Sequence, residues 1–154
     1  MKLIWENRLV NEMVKYPIDE ILSSLKTEEG YSATCYLCSA GKHTVAYGRN
    51  ISPGGIGISK EEADYLLRND INRTIKECQN FKWFDKLDSQ RQSVIVQLCF
   101  QLGYPALSTF NRMLAALAQS PPDFKTAATE LLDSKFAKQD TPARAKRMAQ
   151  QLAG

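Results

Sequence analysis

Few side chains in this sequence combine a reactive type with a position that could use it, and Glu29 is the first of them. It precedes Gly30 at the end of an apolar-periodic run, which puts it in the last turn of a helix, at the negative end of the dipole. That field disfavours the ionised carboxylate, as a proton donor working near neutral pH requires. Many helices end in a solvated glutamate, so the placement needs company to mean anything. A second group is Cys35-x-x-Cys38-x4-His43, three of the four ligands of a zinc knuckle. The fourth ligand would stand at Gly48, and aromatic and β-branched neighbours make the segment a strand, on which ligands three apart diverge. The zinc reading is therefore disfavoured, and no cofactor is expected. His43 is the only histidine, so no serine or cysteine hydrolase here could draw on another imidazole base, and its plain reading is structural. Pro53-Gly54-Gly55-Ile56-Gly57 lacks the lysine and the strand–loop–helix setting of a phosphate cradle. Arg144, Lys146 and Arg147 read as the solvated face of a helix.

The elements that must hold these groups follow from periodicity. Apolar clusters at 3–5, 9–10 and 13–14 predict a first helix. Pro17 suits a first helical turn, and Ile18, Ile21, Leu22 and Leu25 make an amphipathic stripe that ends at Gly30. Residues 31–38 and 43–47 predict a β-hairpin with its turn at 39–42. Ser59 and Glu62 form a capping box for a long helix whose apolar face carries Ala63, Leu66, Leu67, Ile71, Ile75 and Cys78. Helices are expected from Asp88 or Ser89 to Leu102, over 105–118, over 122–136, and after Thr141-Pro142, an N-cap followed by a first-turn proline. The fold class is α+β, mainly helical. It comprises a small hairpin lobe (about 29–58), a connecting helix (about 60–79) and a helical lobe (about 84–154), with residues 1–17 as an added N-terminal helix. Two lobes joined by a helix leave a cleft between them.

The bulk properties set the outer bounds. A chain of 154 residues with 44% hydrophobic and 24% charged residues is an ordinary globular composition. A net charge of +3 is too small to argue for nucleic acid, though it suits an anionic polymer. No apolar run approaches the roughly 18 residues that span a bilayer. The start, Met1-Lys2-Leu3-Ile4-Trp5-Glu6, is charged too early for a signal peptide. The four cysteines do not amount to a disulfide scaffold. Cys78 and Cys99 fall in apolar stripes, where a buried free thiol is the plain reading.

Leu25-Lys26-Thr27-Glu28-Glu29-Gly30, followed by Tyr36, Gly41 and Thr44-Val45-Ala46-Tyr47-Gly48-Arg49, strongly resembles the phage-lysozyme family of glycoside hydrolases, that of the T-even coliphage lysozymes. The likeness continues through Ile58–Ala63 and Asp70. It returns at Phe100-Gln101-Leu102-Gly103, at Phe110 and at 141–147, so that it covers roughly residues 18–150. Cys38 stands where the family usually has its catalytic aspartate, Ala46 replaces a glycine, and Arg49 replaces a histidine.

The resemblance implies a lysozyme-like two-lobed fold and a muramidase. Such an enzyme hydrolyses the β-1,4 bond between N-acetylmuramic acid and N-acetylglucosamine in peptidoglycan, for phage-mediated host lysis or wall penetration. Glu29 would be the acid and Thr44 would hold the water. Cys38 would be base or nucleophile, a thiol being a poorer base than aspartate at neutral pH but a better nucleophile once ionised. Gly48, Phe100 and Gln101 would lie near the glycan. Arg49 would pair with Asp70, and Arg144 would brace the glutamate. The expected partner is the peptidoglycan glycan strand, with no nucleic acid and no stable membrane insertion. The protein would be a monomer held in the host cytoplasm until a holin or a tail device gives it access to the wall. The rival readings are a catalytically inactive wall-binding domain of the same fold, and a zinc-knuckle nucleic-acid module.

Overall fold

A computed structural model describes residues 16–154, so the helix expected over 3–14 lies outside the described residues. The chain divides after Glu62 into two compact units. The fold is α+β and mainly helical, with one small antiparallel sheet.

Among the described residues of the first unit, the first element is helix α1, Ile18–Glu29, whose first turn carries Asp19 and Glu20 against the positive end of the dipole. Its apolar stripe of Ile18, Ile21, Leu22 and Leu25 is present but about half-exposed at every position. Gly30 ends the helix with φ 68° and ψ 164°. The positive φ is the one expected of a glycine stop. The extended ψ belongs to a region only glycine enters, and it turns the chain straight into a strand. Strands β1 (Ser32–Leu37) and β2 (His43–Ala46) form the predicted hairpin, with Tyr36 opposite Thr44 and Leu37 opposite His43. A third strand, β3 (Arg49–Asn50), was not expected; it pairs with β2 through Val45–Arg49 and Thr44–Asn50. Between them the chain reverses over Ala46-Tyr47-Gly48, with Ala46 at φ 56° and Gly48 at φ 71°. Left-handed backbone costs a non-glycine residue roughly 1 kcal/mol, so Ala46 is a strained member of this turn.

Helix α2, Lys60–Cys78, starts with the predicted capping box. The Ser59 amide donates to Glu62 Oε2 at 2.8 Å, and the Glu62 amide donates to Ser59 Oγ at 3.1 Å. Leu66, Leu67 and Ile71 of its apolar face are exposed, Ile75 packs on the core, and Cys78 is fully buried.

The helical unit holds the core. Helix α3, Ser89–Leu102, is capped by Asp88 and buries Val94, Ile95, Leu98 and Cys99, each such side chain stabilising the fold by about 1.5–3 kcal/mol. The single helix expected over 105–118 is two, α4 (Tyr104–Leu107) and α5 (Asn111–Leu117). At the break the Ser108 hydroxyl donates to the Tyr104 carbonyl and the Thr109 hydroxyl to that of Ala106, local bonds that compete with the helical ladder. Helix α6, Phe124–Asp133, is shorter than expected because Asp123, accepting from the Thr126 amide, is its cap. A π-turn over Phe136–Asp140 leads to α7, Pro142–Ala153, with proline at its first position as expected. Thr141 is its N-cap residue as expected, with the Thr141 carbonyl accepting from the Ala145 amide at 2.9 Å, but the side chain makes no capping bond and its hydroxyl oxygen is buried without a hydrogen-bond partner. Arg91 closes the unit. Its Nε donates to the Leu152 carbonyl at 2.9 Å, its Nη1 pairs with Asp88 at 2.6 Å, and its guanidinium lies 3.8 Å over Phe124. A cation at the C-terminal carbonyls of α7 is favourable to the helix dipole.

Cys78 and Cys99 are the buried free thiols expected of their stripes, and burial pushes both thiol pKa values up.

Candidate active site

Gly48 is where Glu29 meets the sheet. A β-carbon at Gly48 would stand 2.6 Å from Glu29 Oε2, so the carboxylate lies against backbone that only glycine leaves bare. The positive φ of the same residue makes glycine doubly required. A cavity of about 370 Å³ opens beside the carboxylate, lined by Glu29, Gly30, Tyr31, Ser32 and Tyr36. Tyr36 is the cross-strand partner of Thr44, so the hairpin register carries the cavity wall toward the second set of groups.

That second set is Cys38 and Thr44. Cys38 directly follows β1 and its amide donates to the Lys42 carbonyl at 3.0 Å, which closes the tight turn Ser39–Lys42. In that turn hydrogen bonds from the backbone of Lys42 and of Ala40, and then from the Thr44 side chain, hold the Cys38 thiol below its ordinary pKa. N–H dipoles directed at the sulfur favour the thiolate over the thiol. Thr44 is buried at 3% exposure, and its hydroxyl also lies 3.0 Å from the Lys42 carbonyl. One hydroxyl carries one proton, which goes either to the carbonyl or to the sulfur.

His43 and Thr44 are neighbours on one strand and point to opposite faces. Cys35 Sγ lies 3.6 Å from His43 Nδ1, on the face away from Cys38 and Thr44. The zinc-knuckle residues therefore divide between two faces. Among the described residues no group of three or more His, Cys, Asp or Glu side chains could hold a metal ion.

Arg49 and Asp70, expected to pair with each other, each have an ion-pair partner within their own unit. Arg49 grips Glu62 with both terminal nitrogens, Nη2 to Oε1 at 2.6 Å and Nη1 to Oε2 at 3.2 Å, while Nη1 also donates to the Gly57 carbonyl at 2.6 Å. Asp70 pairs with Arg73, one turn along its own helix. The reason is local. Glu62 is already turned back to the helix start by the capping box, where it offers two oxygens to the planar guanidinium.

In the helical unit, Phe100 and Arg144 line a largely apolar cavity of about 560 Å³ together with Leu67, Ile71, Phe84 and Val96. Gln101 keeps its side-chain oxygen buried without a hydrogen-bond partner. Within the hairpin unit, Tyr31 and Tyr47 stand beside Glu29 and Gly48, their ring centroids 5.4 Å apart, with Lys26 Nζ 5.7 Å from the Tyr47 ring. No motif marks these three as a group. Their one signal in the sequence is adjacency, since Tyr47 precedes Gly48 and Tyr31 follows Gly30.

The model of the family described as phage lysozyme matches residues 26–150, from the last turns of α1 into α7.

Proposed function

The chain belongs to the phage lysozyme family, whose substrate is peptidoglycan, and from that premise we propose that it is a muramidase cleaving the β-1,4 bond between N-acetylmuramic acid and N-acetylglucosamine. The observation that carries the reading is the seating of the Glu29 carboxylate on Gly48, beside an open cavity. Glu29 protonates the glycosidic oxygen as the bond breaks. Cys38, as thiolate, takes a proton from the water that attacks the anomeric carbon, and the Thr44 hydroxyl orients that water. Attack by water from the face opposite the leaving group inverts the anomeric centre; direct attack by sulfur would retain it through a covalent intermediate. The water route is favoured because Thr44 gives the water a second hydrogen-bonding partner beside the sulfur. Gly48, Phe100 and Gln101 contact the glycan, and Arg49, Asp70 and Arg144 support the site. The protein acts as a monomer without a cofactor, on walls reached from the host cytoplasm with a holin or a tail device. No described helix is long and apolar enough to cross a membrane.

Clearing of permeabilised bacteria tests the reading. Glu29→Gln keeps the shape and loses the transferable proton, so it should abolish clearing while leaving circular dichroism unchanged. Clearing within tenfold of wild type would remove Glu29 from the acid role. If wild type binds walls and never cuts them, the chain is a wall-binding domain. The anomeric configuration of the first product, read by NMR, separates the water route from the covalent one.

A further inference from the structure

We propose that Cys78 and Cys99 form a cross-linking site, a buried dithiol that closes to a disulfide between α2 and α3 when the chain meets a disulfide oxidant. The proposal stands apart from the muramidase reading, because neither thiol belongs to the hairpin unit that holds Glu29, Cys38 and Thr44.

Cys78 is 0% exposed and Cys99 1% exposed, and both belong to the core of the helical unit. A buried thiol by itself is only a small apolar group. These two are set against each other from both sides of a contact. Cys78 Sγ lies 4.0 Å from the Ile95 carbonyl, and Ile95 stands one turn before Cys99, over which a helical side chain at 99 leans. Cys99 Sγ lies 3.8 Å from Glu77 Oε2, on the residue next to Cys78. Each sulfur therefore reaches across to the position beside the other, and the two thiols share a hydrogen bond.

The pair is polarised. Burial is the main cause of the raised pKa of each thiol; the bond between the sulfurs adds to it at Cys78 and opposes it at Cys99, so Cys78 donates and Cys99 accepts. Cys99 in turn faces the Glu77 carboxylate, which can take its proton. Cys99 is thus the first nucleophile and Cys78 the second. With glutathione disulfide as the oxidant, the Cys99 sulfur passes its proton to Glu77 and attacks one sulfur of the oxidant. The glutathione disulfide bond breaks, a mixed disulfide forms on Cys99, and a glutathione thiolate leaves with the proton from Glu77. Cys78 then attacks the Cys99 sulfur and releases the second glutathione thiolate, which takes the Cys78 proton. Two protein thiols and one glutathione disulfide become one protein disulfide and two glutathione thiols. Burial makes entry slow, so the reaction waits on local opening at the end of α2. The closed bond ties the last residue of α2 to the last turn of α3 around a loop of about twenty residues, which the unfolded chain would otherwise leave free.

The test equilibrates the full chain, folded and without oxygen, in mixtures of reduced and oxidised glutathione, then quenches it in acid for digestion and mass spectrometry. The peptide joining Cys78 to Cys99 should dominate in oxidising mixtures, lighter than its two reduced parts by two hydrogens. Cys35 and Cys38 are also free thiols, so a Cys35→Ser, Cys38→Ser chain is run beside wild type. Its melting temperature should rise by about 6–12 °C on oxidation. Adding Cys78→Ala should stop the reaction at a glutathione adduct on Cys99, whereas adding Cys99→Ala should slow any adduct on Cys78 about tenfold. If either alanine variant does not fold, the peptide map of the intact pair decides. A cross-link that forms only in urea, pairing of Cys78 mainly with Cys35 or Cys38, or an unchanged melting temperature overturns the proposal.

Discussion

Arg49 is bound to Glu62, and the energetic consequence can be worked out and measured. The guanidinium is 31% exposed and the carboxylate 45%, so solvent screens the pair and each charge lost costs little by itself. A bidentate geometry at this exposure supports a coupling of about 0.5–1 kcal/mol, at the upper end for surface pairs. Arg49→Met also strips the Gly57 carbonyl of its 2.6 Å donor, adding about 1 kcal/mol, which brings the single variant to roughly 1.5–2 kcal/mol. Glu62→Gln keeps one oxygen for the Ser59 amide and should cost less, about 0.5–1 kcal/mol, because most of the capping box survives. The double variant should then fall short of the sum by the coupling term. Urea unfolding followed by circular dichroism is the assay, since guanidinium chloride would itself screen the pair. Asp70→Asn is the control; it should add to Arg49→Met within about 0.3–0.5 kcal/mol. Coupling above that level between Arg49 and Asp70, with additivity between Arg49 and Glu62, would refute the reasoning.

Three shorter predictions follow from the same unit. Gly48→Ala forces a left-handed φ on alanine and drives a β-carbon into Glu29 Oε2, so it should lower stability by about 1–2 kcal/mol and abolish wall clearing; a fully active variant would show that Glu29 works elsewhere. Ala46→Gly relieves the backbone at φ 56° but adds freedom to the unfolded chain, so urea midpoints should rise by no more than about 1 kcal/mol in stability, and a loss would mean that the methyl group packs. The folded turn holds the Cys38 thiol below its ordinary pKa: the stabilisation this gives is fully present above the unfolded value and is lost as pH falls through the folded one. Clearing should fall along an acid limb below pH 9, and iodoacetamide should inactivate wild type with that same profile. Cys38→Asp should remain active, resist the reagent and move the limb toward the carboxylate range, and the same limb in both proteins would exclude the thiol from the step.

Most of the local structure was legible residue by residue because its causes are local. The glycine stop after Glu29, the Ser59–Glu62 capping box, the hairpin turn at Ser39–Lys42 and the buried stripe of α3 each depend on neighbours within a few positions. The resemblance pointed to Glu29, Cys38, Thr44 and Gly48 through residues at short intervals in one segment. The break at Ser108–Phe110 depends on which of two competing hydrogen bonds a hydroxyl makes, and periodicity does not record that choice. The partner of Arg49 required three dimensions: a charge-pairing argument from family positions pointed to Asp70, but the folded capping box had already aimed the two oxygens of Glu62 at it. The lowered pKa of Cys38 and the ring contact between Tyr31 and Tyr47 were likewise outside the reach of sequence. A cysteine's pKa depends on where backbone N–H groups point, and a contact between two rings depends on how the hairpin and the helix end are brought together. Sequence alone determined which side chains exist and most of the helices and strands that carry them. Tertiary structure decided which groups face each other, because contact between residues distant in the chain is set by packing and not by spacing.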